Sequence, residues 1–113
     1  MTMEDVIMSI ILNAGDARAK SLMALRSARL GDFAQAEEHL KKAGESMVLA
    51  HEVQTELIRK ELAGEEQELT LLMIHAQDHL MTAMAIKDMV CELVDYAKSL
   101  SSIVIERKEE LGD

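Results

Sequence analysis

Apolar residues recur along most of this chain at steps of three and four, the spacing of one face of an α-helix. The pattern is cleanest from Phe33, where Ala36, Leu40, Ala43, Met47, Ala50, Gln54 and Leu57 form a heptad-like seam. Gln54 is its one polar member, so it is either a buried hydrogen-bonding residue or part of a site. Upstream, Val6, Ile7, Ile10, Ile11, Ala14, Leu22 and Leu25 share a broader face, opposite Arg18, Lys20, Arg26 and Arg29. Two glycine-centred breaks separate the patterns. In "LGDFAQAEEHL", Gly31 suits a helix C-terminus and Asp32 the next N-cap, with Gln35 completing a capping-box spacing. In "LAGEEQEL", Gly64 ends a second helix, and Glu65, Glu66 and Glu68 put negative charge where the next helix dipole favours it. The spacing predicts helices over residues 3–30, 33–62 and 67–109 within one domain, 1–113. Short connections make neighbours antiparallel, so the expected fold is an all-α, up-down-up three-helix bundle.

The third pattern differs in kind. From Leu69 to Ile86 apolar residues lie all round the helical wheel, which requires burial on more than one side. Two neighbours in a three-helix bundle cover only part of that circumference. The remainder would leave a large exposed patch, which monomers avoid, so self-association through this helix into a closed cyclic oligomer is expected. The pattern does not choose between two, three and four subunits.

Composition narrows the class. The chain has 113 residues, no Pro or Trp, one Phe and one Tyr, which leaves helix formers dominant and strand formers scarce. A formal net charge of −9 argues against a nucleic-acid partner. One cysteine, Cys91, excludes an internal disulfide and reads as a small buried hydrophobe in a reducing cytoplasm. The N-terminal segment lacks the basic start of a signal peptide, and His75, Gln77, Asp78 and His79 interrupt the longest apolar run.

Those four residues are the candidate chemistry. At about 100° per residue, Asp78 falls about 60° to one side of His75 and His79 about 40° to the other. Asp78 shares a stripe with the apolar Ile74, Met81 and Ala85. If that stripe faces an oligomer axis, copies of Asp78 converge. Two carboxylates about 5 Å apart repel by roughly 3 kcal/mol at an effective dielectric of about 20, so protons, water or a hard cation would accompany them. A solvated aspartate on a helix face is the plainer alternative. His75 and His79, at i and i+4, can be structural, can chelate a metal with His51 brought in by the fold, or can do nucleophilic or acid–base work. On residues alone, a helical metal-binding bundle and a non-catalytic oligomeric adaptor both stay open.

Four blocks in register change the odds: "LNAGDARAKSLMAL", "GDFAQAEEHL", "AHEVQTELI" and "MIHAQDHLMTAM". Together, from about Val6 to about Ala97, they resemble the enzyme IIA component of the lactose/chitobiose (cellobiose) family of the bacterial phosphoenolpyruvate-dependent sugar phosphotransferase system. The resemblance implies a homotrimer assembled through the third helix. It implies that the first histidine of the H-x-Q-D-H-L-M motif, here His75, is phosphorylated. It implies that Asp78 lies at the trimer axis with a divalent cation, magnesium. HPr would donate the phosphoryl group and a cysteine of a IIB component would accept it, with the membrane IIC component involved only through IIB. Gln77, His79, Gln54 and His51 are candidates to stabilise the phosphoryl group or support the site. An apolar collar near His75, from Leu71 or Leu72, would dock partners, with the phosphoryl group on the solvent side away from Asp78. The sugar, a β-linked disaccharide, is not legible. "SLSSIVIERKEELGD" runs beyond the expected family end, and its Ile103, Val104 and Ile105 either lengthen the third helix or pack elsewhere.

Overall fold

Local capping sets where each helix begins. The computed structural model describes residues 2–112. Helix α1, Met3–Arg29, starts on a full capping box: the Thr2 hydroxyl accepts from the Asp5 N–H, and the Asp5 carboxylate accepts from the Thr2 N–H. Helix α2, Phe33–Leu62, follows Gly31, whose φ of 82° only glycine adopts cheaply. Asp32 caps it by accepting from the Gln35 N–H at 3.1 Å. The reciprocal half of the expected capping box is missing, because the Gln35 side chain pairs instead with His39 one turn on.

The third helix, α3, is Leu71–Glu110, so its expected start at residue 67 is corrected by four positions. Thr70 is the reason. Its hydroxyl accepts from the Met73 N–H, a stronger start signal than the dipole preference of the preceding glutamates. The segment "SSIVIERKEE" continues this helix instead of folding back, and Ile103, Val104 and Ile105 are all exposed.

Contacts between distant residues fix the topology. A groove joins Met3 and Val6 near the start of α1 to Leu57 and Lys60 near the end of α2, so the two run antiparallel. Lys98 in the second half of α3 bonds Glu37 near the start of α2, which opposes those two as well. Helix α1 packs extensively on both others, while α2 and α3 meet over a much shorter stretch. Helix α1 is therefore the central packing partner of the bundle, and one side of α3 stays exposed.

The α1 seam is nearly ideal: Ile7, Ile10, Ala14, Ala17, Ser21, Ala24 and Ala28 are buried at alternating steps of three and four. The sequence pattern pointed to Leu22 and Leu25 for the second half, yet both are only half-buried. Small residues take the seam there because they let the helix backbones approach closely. Ser21 satisfies its hydroxyl by donating to the Ala17 carbonyl at 2.7 Å. On α2, Ala36, Ala43, Met47, Ala50 and Leu57 are buried as the seam requires. On α3, Met73, Ala76, Leu80, Ala83, Val90 and Val94 are buried, leaving Cys91 half-buried beside them. No described helix is long and apolar enough to cross a membrane.

Two apolar clusters make up the core, one reaching Ala17 and Ala83 and the other beginning at Ala24 and Val90. Near the first cluster's edge, Asp16 accepts from Lys20 and from the Ser46 hydroxyl, both at 2.5 Å, tying α1 to α2. Those bonds, the Lys20 one first, hold the Asp16 carboxyl below its ordinary value. A lowered folded value means the stabilisation is full above the unfolded value of about 3.9 and is lost as pH falls through the folded one. Asp16→Asn is thus expected to cost about 1 kcal/mol at neutral pH, a figure kept small by solvent screening of a partly exposed pair. Urea unfolding at pH 7 and at pH 3 checks this, since the difference from wild type should shrink at the lower pH.

Candidate functional site

Helix α3 presents His75, Asp78, His79 and Thr82 within two turns, and α1 brings Arg18 across to them. These five residues line a shallow pocket of about 200 Å³. His75 is exposed at its mouth, whereas His79 is half-buried. The two imidazoles are nearly parallel, with planes 8° apart and centroids 5.9 Å apart.

His79 is seated by a residue with no side chain. A Cβ placed on Gly15 would lie 3.2 Å from His79 Nε2, tighter than ordinary contact. The absence of that atom lets the ring lie against α1. A chain of contact therefore runs from Gly15 to His79 to His75, and it orients the outer imidazole by packing.

Electrostatics in the pocket are mixed. Asp78 and Arg18 both line it and both are exposed. Among the described residues, neither forms an ion pair. Lys20, two residues along α1 from Arg18, is occupied by Asp16. The guanidinium is thus free to meet an anion entering the pocket, and the pocket can host an anionic group beside the His75 imidazole.

The other anticipated residues lie elsewhere. Gln54 Nε2 donates to Gln77 Oε1 at 2.7 Å, a bond between α2 and α3, and both line a separate groove toward the end of α2. Within one chain they hold two helices together and do not face His75. His51 is exposed on α2 and does not line the His75 pocket. In the single chain His75 and Asp78 border the same pocket. An offset of about 60° on the wheel is too small to put side chains on opposite faces.

Sequence reasoning missed two members of the pocket, Thr82 and Arg18, and the glycine that seats His79. Thr82 was within reach, because it stands seven residues after His75 and so shares its face. Gly15 and Arg18 stand in the block "LNAGDARAKSLMAL", which carried the family resemblance but did not place them beside His75. They join the site only through the α1–α3 register.

Opposite the core face, α3 exposes a long stripe. Ile74, Met81, Met89, Tyr96, Leu100 and Ile103 are each between 44% and 64% exposed, with Asp78 and Ala85 among them. Among the described residues no three His, Cys, Asp or Glu side chains are grouped to hold a metal, so one chain alone supplies no such site.

Comparison with known proteins gives a consistent result. Residues 5–98 match the family model of the phosphotransferase-system lactose/cellobiose-specific IIA subunit. The chain is 44% identical over 99 residues to the lichenan-specific phosphotransferase enzyme IIA component of Bacillus subtilis, covering 88% of this chain and 90% of that protein. Its fold is similar to the crystal structure of the cellobiose-specific enzyme IIA from Bacillus anthracis, with a TM-score of 0.85, 44% identity and coverage of 90% and 94%. It is also similar to a chain in the solution structure of the IIA(chitobiose)–HPr complex from Escherichia coli, with a TM-score of 0.77, 35% identity and coverage of 89% and 98%.

Proposed function

This chain belongs to the lactose/cellobiose-specific IIA family of the phosphoenolpyruvate-dependent sugar phosphotransferase system, and from that premise we propose that His75 carries the phosphoryl group. The observation that carries the reading is His75 itself: an exposed imidazole, oriented by its stacked neighbour, at the mouth of a pocket inside the family-matched segment. Phospho-HPr is the donor and a cysteine of a cognate IIB component the acceptor. A similar chain solved in complex with HPr supports the first partner. The process imported in this way is uptake and phosphorylation of a β-linked disaccharide, and the reaction takes place in the cytoplasm.

The chemistry asks little of the protein beyond positioning. A lone pair on a His75 ring nitrogen attacks phosphorus in line with the N–P bond of the donor's phosphohistidine. That bond's electron pair stays on the donor ring, which departs as neutral imidazole. The covalent phosphohistidine divides one transfer between proteins into two steps. In the second, a thiolate attacks the same phosphorus and the His75 nitrogen recovers its lone pair. Parallel stacking on His79 lowers the entropy of aiming the nucleophile.

Docking rests on apolar surface. Leu71 and Leu72, one turn before His75, are exposed and supply the collar against which HPr and IIB bury area. The partners must exchange rapidly, so each interface is small.

Self-association completes the reading. The α3 stripe from Ile74 to Ile103 lies opposite the core, and a homotrimer covers it with copies of itself. Asp78 is the one carboxylate in the Ile74–Ala85 part of that stripe, and three copies supply three oxygen donors about the axis. An oxygen-only set suits magnesium, the cation implied by the family, which would offset the mutual repulsion of the carboxylates.

The test is direct. Incubation with phosphoenolpyruvate, enzyme I and HPr should add one acid-labile phosphate per chain by intact mass, and subsequent addition of the cognate IIB should remove it. A chain that stays at its unmodified mass would end the proposal.

A further inference from the structure

The pocket beside His75 contains a cation that the reaction as described leaves unused. Arg18 lies on α1, and it alone among the five pocket-lining residues carries a permanent positive charge. We propose that Arg18 is a phosphoryl-binding residue, holding the equatorial oxygens of the group as it arrives on His75. The inference rests on the reading that His75 carries the phosphoryl group and adds a role to a residue on a different helix.

Three observations support it. First, Arg18 has no ion-pair partner among the described residues, although Asp78 borders the same pocket and the i+2 neighbour Lys20 is held by Asp16. Its fork of donors is therefore uncommitted. Second, the chain carries a net charge of −9, and Asp78 in the pocket repels an incoming dianion. A guanidinium makes that position hospitable to a dianion, and the other four pocket-lining residues offer no permanent cation. Third, the geometry of phosphoryl transfer concentrates charge on the three equatorial oxygens while the two nitrogens lie in line. A planar guanidinium reaching from α1 can approach those oxygens sideways, without obstructing either apical position. The Thr82 hydroxyl, two turns along the same face of α3 from His75, adds a neutral donor.

Arg18 is exposed, so its replacement leaves the core untouched. The test uses the full chain, with phospho-HPr as donor and single-turnover and steady-state transfer as readouts. Arg18→Gln is expected to lower kcat about 10²-fold while KM for phospho-HPr changes by less than about threefold, the signature of an interaction made in the transition state. Arg18→Lys keeps the charge without the fork and should recover part of the loss, which a merely structural role would not require. Should Arg18→Gln fold poorly by circular dichroism, the lysine variant carries the test through the same kcat measurement.

Transfer by Arg18→Gln at the wild-type kcat would overturn the proposal. A rise in KM at unchanged kcat would overturn it too, by making Arg18 a docking residue for HPr. Failure of the wild-type chain to take up phosphate would instead overturn the reading of His75 and this inference with it.

Discussion

His75→Gln should take up no phosphate from phospho-HPr, a loss of about 10⁴-fold or more in transfer rate. Glutamine approximates the size and hydrogen-bonding reach of histidine, but its amide nitrogen has no available lone pair to attack phosphorus. His75 is exposed, so the substitution should change stability by no more than about 0.5 kcal/mol, leaving fold and assembly intact. The loss can then be assigned to chemistry. His79 is the one other imidazole in the pocket, and it is half-buried with Nε2 close over Gly15. It lacks the free approach that in-line attack demands. An acid-labile phosphate on His75→Gln by intact mass would move the nucleophile to another residue.

The second large effect concerns the stripe on α3. If the proposed trimer forms through this stripe, Met81→Glu should leave monomers, whereas Asp78→Leu should preserve the assembly and raise its melting temperature. Met81 is 53% exposed in the single chain, so its burial by neighbouring copies contributes at most about 2 kcal/mol per subunit. Replacing it with glutamate removes that gain and sets new carboxylates one turn from Asp78. At about 5 Å and an effective dielectric of about 20, each carboxylate pair adds roughly 3 kcal/mol of repulsion. Asp78→Leu acts in the opposite direction, exchanging a converging charge for apolar surface. Light scattering after size exclusion decides the assembly, and a Met81→Glu protein that remained trimeric would place the subunit contact elsewhere. Chelation tests the proposed cation. It should lower the melting temperature of the wild type and leave that of Asp78→Leu unchanged.

How legible the site was depended on distance along the chain. His75, Asp78, His79 and Thr82 are spaced by helical steps, so one wheel contains all four. Gln77 shows the limit of that reasoning. It lies between His75 and Asp78 in sequence, but its amide turns to Gln54 on α2. A wheel tells direction, and only the neighbouring helix tells what lies there. Gln54 was rightly marked as an exception in an apolar seam, since its polarity is used in a bond between helices. For α3, the glutamates before Leu71 suggested an early start, and the Thr70 hydroxyl settled it by satisfying the Met73 N–H.

What the sequence determined by itself was local or repetitive: three helices, the breaks at Gly31 and Gly64, and the α2 seam. Each depends on residues within a few turns, where periodicity and capping act. The tertiary structure decided which apolar face of α3 enters the core, because a helix apolar all round does not rank its own faces. It also decided that Gly15 and Arg18 belong to the site of His75. That pairing is set by register between α1 and α3, and the register comes from small residues closing tightly along a shared seam. Alanine carries little directional signal in a sequence, yet it lets two backbones approach closely enough to bring Arg18 to the histidine.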